Sequence, residues 1–202
     1  MSFKDIFNID AEVKESAHAR VNLIGEHTDY TGGYVMPTLL SFKNTIEISQ
    51  NNSNEFTVYS QHFKEKKTFN DFKKSTNNEW VDYIKGCLHI FFDENKISSR
   101  FLNIFISSDI PLERGISSSS ALCVATLKAL NTFFETKIKD PEIAKLAKKV
   151  EFNYIGVSGG IMDQMVSSIG IHGKAFFMNC KNLEYELINF PENWKFCLID
   201  SE

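Results

Sequence analysis

The chain has 202 residues and a formal charge of −4, because 22 lysines and arginines are outnumbered by 26 aspartates and glutamates. Its 43% apolar and 24% charged residues are the balance of a folded globular protein and exclude a disordered chain. No basic block could neutralise a nucleic-acid backbone, and no segment approaches the ~18 apolar residues of a membrane span. Because Lys4 and Asp5 lie where a signal peptide is apolar, we expect a cytoplasmic protein without nucleic-acid or membrane partners.

Three strands are predicted in the first sixty residues. Alternating apolar residues indicate one strand over residues 17–23, a second around Ile46 and Ile48, and a third around Phe56 and Val58. Residues 51–54 between the last two are turn formers. This pattern predicts that the second and third strands pair antiparallel.

Helical spacing begins at Asn78, because apolar residues then recur at intervals of three and four as far as Phe92. A strand over residues 101–106 follows, and Pro111 ends that segment. Residues 121–134 are helical by composition, so the serines before them lie at a helix entrance.

The rest of the chain alternates in the same way. Asp140 and Pro141 have the pattern of a helix start, and that helix is expected to end near Gly156. A short helix is expected after Gly159 and Gly160, and strands are predicted over residues 175–179, 184–188 and 195–200. The cysteines and histidines have no zinc-site spacing, so we expect four reduced, buried thiols: Cys87, Cys123, Cys180 and Cys197.

The first segment with chemical potential runs from residue 19 to residue 33, where a strand leads into a polar turn bracketed by glycines. Glu26, His27 and Asp29 offer hydrogen-bond donors and acceptors within four residues, which suits a small ligand covered in hydroxyl groups, such as a sugar. The alternative is a turn whose side chains bond their own backbone. Arg20 lies in an otherwise apolar strand and needs a carboxylate partner, either structural or functional.

The second segment is the serine run over residues 111–121. Gly115 permits a tight turn, and the backbone N–H groups of a helix N-terminus then point outwards, which makes an anion cradle. No G-K-[ST] follows the turn, so this is not a Walker A loop, and Arg114 is the nearest cation in the sequence. The alternative is a serine-rich helix cap.

The third segment is a glycine turn that delivers Asp163 into apolar surroundings. A carboxylate there needs a cation or donors, and Arg20 is the most plausible cation; otherwise Asp163 caps the helix that the glycines introduce. Glu151 lies in the last turns of the preceding helix, where the dipole disfavours a free acid, so a metal ion or a salt-bridge partner is expected.

With these segments together, the sequence resembles the galactokinases, which belong to the GHMP family of small-molecule kinases. Residues 20–30 match the galactokinase signature nearly letter for letter, the serine run resembles the GHMP phosphate motif, and residues 160–164 resemble the third block of that family. Residues 80–86 are similar to the segment that precedes the phosphate loop. The sequence departs from the pattern at two places: Glu113 and Arg114 stand where galactokinases commonly have small residues or glycine, and Ser158 and Gly159 stand where they usually have Pro-Cys.

The resemblance implies an α+β fold for residues 1–202, the ribosomal S5 domain 2-like fold of GHMP N-terminal domains, with a mixed or antiparallel sheet and helices packed on it. It also implies ATP-dependent phosphorylation of galactose at its anomeric hydroxyl. A galactokinase continues for a comparable length into a second domain, so the resemblance implies that this C-terminal domain is absent here and that these 202 residues alone bind and react weakly. No oligomeric state is indicated.

The resemblance further implies a role for each group of site residues. Asp163 and Arg20 are the catalytic pair, with Asp163 facing the anomeric hydroxyl as either a base or an orienting group. Mg²⁺ is bound through oxygen ligands and bridges protein carboxylate to phosphate. The remaining roles are sugar binding by Glu26, His27, Thr28, Asp29 and Gly160, ATP binding by Gly115, Ser117, Ser118, Ser119 and Trp80, and Mg²⁺ ligation by Ser119 and Glu151.

Two alternative functions remain open on the sequence. One is phosphorylation of another sugar by an enzyme of the same family, which a comparison of hexose, amino-sugar and pentose substrates distinguishes. The other is a catalytically silent sensor that binds sugar and ATP and signals to a partner protein. The presence of both Arg20 and Asp163 argues against the sensor.

Overall fold

The computed structural model describes residues 1–75, 79–111, 114–194 and 196–199. In these ranges a mixed sheet is combined with helices, which confirms the predicted α+β class. The helices are α1 (Phe3–Phe7), α2 (Val81–Asn95), α3 (Ser118–Phe133), α4 (Asp140–Lys149) and α5 (Met162–Ile169), with a π-helical turn at Val150–Ile155. The strands are β1 (Val13–Asn22), β2 (Tyr34–Val35), β3 (Pro37–Gln50), β4 (Phe56–Ser60), β5 (Glu65–Phe69), β6 (Leu102–Ser108), β7 (Lys174–Asn179) and β8 (Tyr185–Asn189).

The long strand β3 organises the sheet. It pairs antiparallel with β1 on one side, while on the other side its two halves pair antiparallel with β6 and β7. Beyond β6 lie β4, which runs parallel to it, and β5, which is antiparallel to β4. Beyond β7 lie the short strands β2 and β8. Helix α3, which begins in the serine run, contacts β3 and also β1, the strand that carries Arg20.

The core lies between one face of the sheet and the helices. Helix α3 packs across β1 and β3, and α2, α4 and α5 pack around α3. Ile46, Ile104 and Leu127 are fully buried in this layer. Successive residues of a strand point to opposite faces, so Tyr59 and Phe105 lie on the far face, where they pack with Phe3 of α1.

The predicted pairing of the second and third strands is wrong. Strand β6 lies between β3 and β4, and Val58 has Ile104 of β6 as its parallel neighbour. Residues 51–54 do turn the chain, but Asn51 donates its backbone N–H to Phe101 O rather than to a β4 residue. Because α2 connects β5 to β6 as a crossover, the third strand takes a parallel neighbour, and alternation of apolar residues cannot predict that.

Three smaller expectations are corrected. Lys139 rather than Asp140 has the helix-cap position, and Asp140 is the first residue of α4. The described residues 196–199 of the predicted last strand form no strand, while its end residues, Lys195 and Asp200, lie outside the described ranges, as does the predicted helical start at Asn78. The four cysteines are free, but only Cys87 and Cys123 are buried, whereas Cys197 is exposed. No helix within the described ranges is long and apolar enough to cross a bilayer.

Candidate active site

Arg20 and Asp163 form a two-point ion pair although 143 positions separate them in the sequence. Arg20 Nε donates to Asp163 Oδ1 and Nη2 donates to Oδ2, both at 2.7 Å. The two side chains are 14% and 25% exposed, so the pair is mostly shielded but reaches solvent on one side. A planar guanidinium matches a carboxylate in this geometry, which fixes the orientation of both groups. The predicted partnership of Arg20 with Asp163 is thus present.

The backbone of β1 aims Arg20 at this partner. The register of β1 against β3 shifts between His18 and Arg20, and such bulges redirect side chains next to functional sites. The Arg20 backbone N–H donates to Ile116 O at 3.2 Å, and its Nη1 donates to Gly115 O at 2.9 Å. One arginine therefore holds both the acid from α5 and the turn that precedes α3.

The serine run lies at the entrance of α3, as predicted. Ser117 is the residue before the helix, with φ +62°, and its hydroxyl does not cap the helix. Instead Ser117 Oγ donates to Asp163 Oδ2 at 2.5 Å. Asp163 in turn does not cap α5. The alternatives in which these two side chains are only helix caps are therefore excluded by their contacts.

A cleft of about 310 Å³ opens over this loop. The first backbone N–H groups of a helix have no intrahelical acceptor, so those of α3 are available to an anion there. A Cβ atom at Gly115, whose φ is +66°, would meet nothing within 4 Å, so this turn faces open space. Leu112 and Glu113 of the same segment lie outside the described residues. The cleft is lined by Arg20, Pro111, Arg114, Gly115, Ile116, Ser117, Ser118, Ser119 and Asp163.

Glu151 lies at the side of the serine loop in a network of neutral donors. Ser119 Oγ donates to its Oε1 at 2.8 Å, and Ser120 Oγ donates to its Oε2 at 2.7 Å. Gln164 Nε2 also donates to Oε2. The residue is 5% exposed, and the π-helical turn that follows α4 carries it. Single π turns inside helices are frequent at functional sites, and here the turn directs the carboxylate towards the entrance of α3.

This carboxylate matches the expected magnesium position only in part. Within the described ranges, no group of three or more histidine, cysteine, aspartate or glutamate side chains could form a metal centre. One carboxylate and a serine hydroxyl beside a phosphate cradle are nevertheless the oxygen donors that Mg²⁺ takes when phosphate supplies the rest. A buried acid with neutral donors around it fits a cation better than it fits an apolar core.

Helix α2 contributes a residue that the sequence analysis did not single out. Burial raises the pKa of the Tyr83 hydroxyl, the Cys123 thiol and the Glu151 carboxylate raise it further, and a hydrogen bond with Ser119 opposes them. Tyr83 therefore touches the serine that also bonds Glu151. Trp80 lies one turn earlier, where its ring stacks on Phe63 at 5.8 Å and its Nε1 donates to Glu65 Oε2 at 2.9 Å.

The polar turn after β1 is partly structural, as the alternative interpretation held. Thr28 Oγ1 bonds the backbone oxygens of Gly25 and Tyr34, both at 2.7 Å, which closes the turn. His27 has φ +62°, and its Nδ1 lies 2.9 Å from the Tyr30 hydroxyl. Three residues of the predicted sugar cluster have side-chain donor or acceptor atoms that take no part in these contacts: Glu26, His27 and Asp29.

Asp29 and Gly160 lie against each other in the structure. A Cβ atom at Gly160 would lie 2.1 Å from Asp29 Oδ2, so only glycine permits this contact. The Asp29 carboxylate also affects Cys180, the residue that follows β7. Burial raises the pKa of this thiol, and the Asp29 charge raises it further, to about 11. The glycine turn thus serves two purposes, since it brings Asp163 to Arg20 and leaves room for Asp29.

Asn22 and Gln164 are further polar residues that the sequence analysis missed. Asn22 Nδ2 donates to Glu26 Oε1 at 3.0 Å, while Asn22 Oδ1 is buried and has no hydrogen-bond partner among the described residues. Gln164 Oε1 is likewise buried and unpartnered there. Each lies in a motif already singled out, and the signal available was a polar side chain next to apolar residues.

Comparison with known families accounts for this arrangement. Residues 82–170 match the family described as GHMP kinases N terminal domain, and residues 1–50 match the galactokinase galactose-binding signature. Residues 82–170 of the chain thus resemble the N-terminal domain of GHMP kinases. The GHMP match spans the helices that carry the serine loop, Glu151 and Asp163, and the galactose-binding signature spans Arg20 and the polar turn.

Curated proteins that are similar to this chain include galactokinases. The chain is 38% identical over 184 residues to galactokinase of Pyrococcus furiosus, which covers 91% of this chain and 51% of that protein. It is 35% identical over 190 residues to galactokinase of Thermotoga petrophila, covering 94% of this chain and 53% of that protein. The chain thus spans about half the length of the curated relatives it matches.

Solved structures agree with the fold. Lactococcus lactis galactokinase complexed with galactose matches 98% of this chain and 55% of its own with a TM-score of 0.85 at 28% identity. Methanococcus jannaschii mevalonate kinase matches 89% of this chain and 56% of its own with a TM-score of 0.74 at 23% identity. The second likeness concerns the fold alone, and together they support the fold class predicted from the sequence.

Proposed function

We propose that this protein transfers a phosphoryl group from ATP to the anomeric hydroxyl of galactose, giving galactose 1-phosphate and ADP. The proposal rests on one observation. Arg20, which lies within the residues that match the galactose-binding signature, contacts both Asp163 and the turn that precedes α3. We further propose that the reaction takes place in the cytoplasm, where the free cysteines of this chain stay reduced.

The sugar is held, in this proposal, by the polar turn and by Gly160. Glu26, His27 and Asp29 supply donors and acceptors suited to hydroxyl groups, and Thr28 keeps the turn closed. The buried, unpartnered Asn22 Oδ1 next to Glu26 supports a ligand that donates hydrogen bonds, because an orphaned buried acceptor is costly.

The phosphates of ATP bind at the N-terminus of α3, with Gly115, Ser118 and Ser119 as the contacts and the helix dipole favouring negative charge. Trp80 is proposed as a nucleotide contact on the family resemblance alone. Mg²⁺, held by Ser119 and Glu151, neutralises phosphate charge when it is bound. Ser119 already bonds Glu151, so both proposed ligands lie on one side of the loop.

Arg20 and Asp163 prepare the acceptor hydroxyl. During transfer the sugar oxygen forms a bond to the terminal phosphorus while the bond to ADP breaks, and the hydroxyl proton is released to water, either directly or through Asp163. Asp163 has both oxygens fixed by Arg20 and Ser117, which favours a role in orienting the hydroxyl. The Arg20 guanidinium lies beside the phosphate cradle and compensates charge that develops during transfer.

The direct test is a measurement of product. Purified protein with galactose, ATP and MgCl₂ is expected to release ADP in a coupled assay and to give galactose 1-phosphate by ³¹P nuclear magnetic resonance. Glucose, N-acetylgalactosamine and arabinose in parallel distinguish galactose from the other sugar classes. ATP and galactose binding without any ADP release would instead support the sensor alternative.

The chain spans about half the length of the curated relatives it matches, so the test has a second arm. We expect the 202-residue polypeptide by itself to be slow, because a cleft open to solvent neither excludes water nor clamps the substrate. The same assay is therefore also run on the product of the whole reading frame that contains these residues. ADP release by neither preparation with any aldohexose would overturn the proposal.

Replacing Gly160 by alanine is expected to weaken galactose binding strongly. The new Cβ would overlap Asp29 Oδ2 and displace this proposed galactose ligand, at a cost of about 1–3 kcal/mol, which corresponds to roughly 5- to 150-fold in galactose affinity. Calorimetric titration with galactose measures the affinity of the variant. Gly159→Ala is the matched control, because a Cβ atom at Gly159 meets nothing within 4 Å. Equal galactose affinity in both variants would contradict the prediction.

A further inference from the structure

Ser117 is assigned to ATP by the family resemblance, but its contact in the structure is with the acid. Its hydroxyl donates to Asp163 Oδ2 at 2.5 Å and does not cap its own helix. Its backbone has φ +62°, in the left-handed region that a serine adopts at a cost. The strained conformation is what turns the hydroxyl from the helix end towards Asp163.

The lone pairs of Asp163 can be counted. An ionised carboxylate offers about two acceptor positions on each oxygen. Oδ2 receives Arg20 Nη2 and Ser117 Oγ, so both of its positions are filled, whereas among the described residues Oδ1 receives only Arg20 Nε. One acceptor position therefore remains, on Oδ1.

We propose that Ser117 is a positioning residue for Asp163, which fills the second acceptor site of Oδ2 and so directs the sugar hydroxyl to Oδ1. The inference rests on the proposed function and deepens it, because it assigns to Ser117 a role in orienting the acid rather than in binding ATP phosphate. Arg20 and Ser117 then act together, since Arg20 also holds Gly115, two residues before Ser117.

The kinetic test separates an effect on turnover from an effect on ATP binding. Ser117→Ala keeps the Cβ atom but removes the donor, and Ser117→Gly removes the donor and also relieves the positive φ. We expect both variants to lower kcat at saturating substrates about tenfold, which corresponds to one hydrogen bond to a charged group. The affinity for a non-hydrolysable ATP analogue should stay within about twofold of the wild type, since no phosphate contact is lost.

A third variant tests rescue. Asparagine tolerates the left-handed region and carries an amide donor, so Ser117→Asn is expected to recover part of kcat. A merely structural role would predict that asparagine, which is larger, performs no better than alanine. Weaker analogue binding with unchanged kcat in Ser117→Ala, or unchanged values of both, would overturn the proposal.

A second measurement does not depend on any enzyme activity. A double-mutant cycle of Ser117→Ala and Asp163→Ala, followed by urea unfolding, is expected to be non-additive, because the two residues share a hydrogen bond. Additive losses would overturn the inference whatever the enzyme does. Absence of galactose 1-phosphate from the wild type, with a non-additive cycle, would overturn the proposed function and leave the Ser117–Asp163 contact standing.

Discussion

Arg20→Lys is expected to lower kcat by about 10²–10³-fold while the protein stays folded, the loss seen when a preorganised charge-stabilising donor is removed. The guanidinium donates to both oxygens of Asp163 and to Gly115 O, at distances between 2.7 and 2.9 Å. A lysine ammonium keeps the charge but is a single point on a flexible stem, so it cannot hold both carboxylate oxygens and the loop carbonyl together.

The free energy of unfolding should change less than the rate. Breaking a fully buried ion pair costs about 3–5 kcal/mol, but Asp163 is 25% exposed and lysine retains the charge, so we expect roughly 1–2 kcal/mol. Urea unfolding measures this loss, and the coupled ADP assay measures kcat. A large rate loss with a small stability loss is the signature of a catalytic arginine rather than a structural one.

Arg100→Lys is the matched control, because Arg100 is exposed and makes its cation–π contact with Phe134. That variant should keep both rate and stability.

Asp163→Asn tests the other half of the pair, with an expected loss in kcat of about 10²–10⁴-fold if the carboxylate acts on the hydroxyl. Wild-type rates in Arg20→Lys or Asp163→Asn would remove the pair from the chemistry.

The residues of this pair could be predicted from the sequence for a simple reason. A charge in an apolar strand and an acid after a glycine turn both need partners, and Arg20 was the most plausible cation for Asp163. Their meeting confirms that argument. The same argument could not predict the contact between Ser117 and Asp163, because a serine at a helix entrance normally caps its own helix. Only the left-handed backbone at Ser117 excludes this capping role.

The arrangement around Glu151 shows what local patterns cannot supply. The sequence predicts a metal ion or a salt-bridge partner for this acid, whereas its described contacts are with Ser119, Ser120 and Gln164. Those donors come from α3 and α5, and the π-helical turn sets the direction of the carboxylate. Which side chains converge there depends on how the helices pack around α3, just as the position of β6 between β3 and β4 depends on a crossover.

Glu151→Gln is expected to raise the Mg²⁺ concentration needed for half-maximal activity at least about tenfold, because the variant removes the one carboxylate ligand proposed for the ion. All three neighbours donate to Glu151. A glutamine there has only one oxygen, so its amide group must face a donor. Oriented towards Gln164, the amide opposes another amide donor; oriented towards Ser119, it forces that hydroxyl to accept instead of donate.

Either orientation also costs stability, about 1–3 kcal/mol for a buried donor left unpaired. Activity is titrated with MgCl₂ at fixed ATP, Mn²⁺ binding is followed by electron paramagnetic resonance in the presence of an ATP analogue, and urea unfolding gives the stability. Glu142→Gln is the control with the same chemical change at an exposed position, because Glu142 lies on α4 with its side chain 56% exposed and pairs with Lys145 at 2.7 Å. If Glu151→Gln loses stability but keeps the wild-type Mg²⁺ and Mn²⁺ dependence, the buried carboxylate supports the serine loop only and the cation is bound elsewhere.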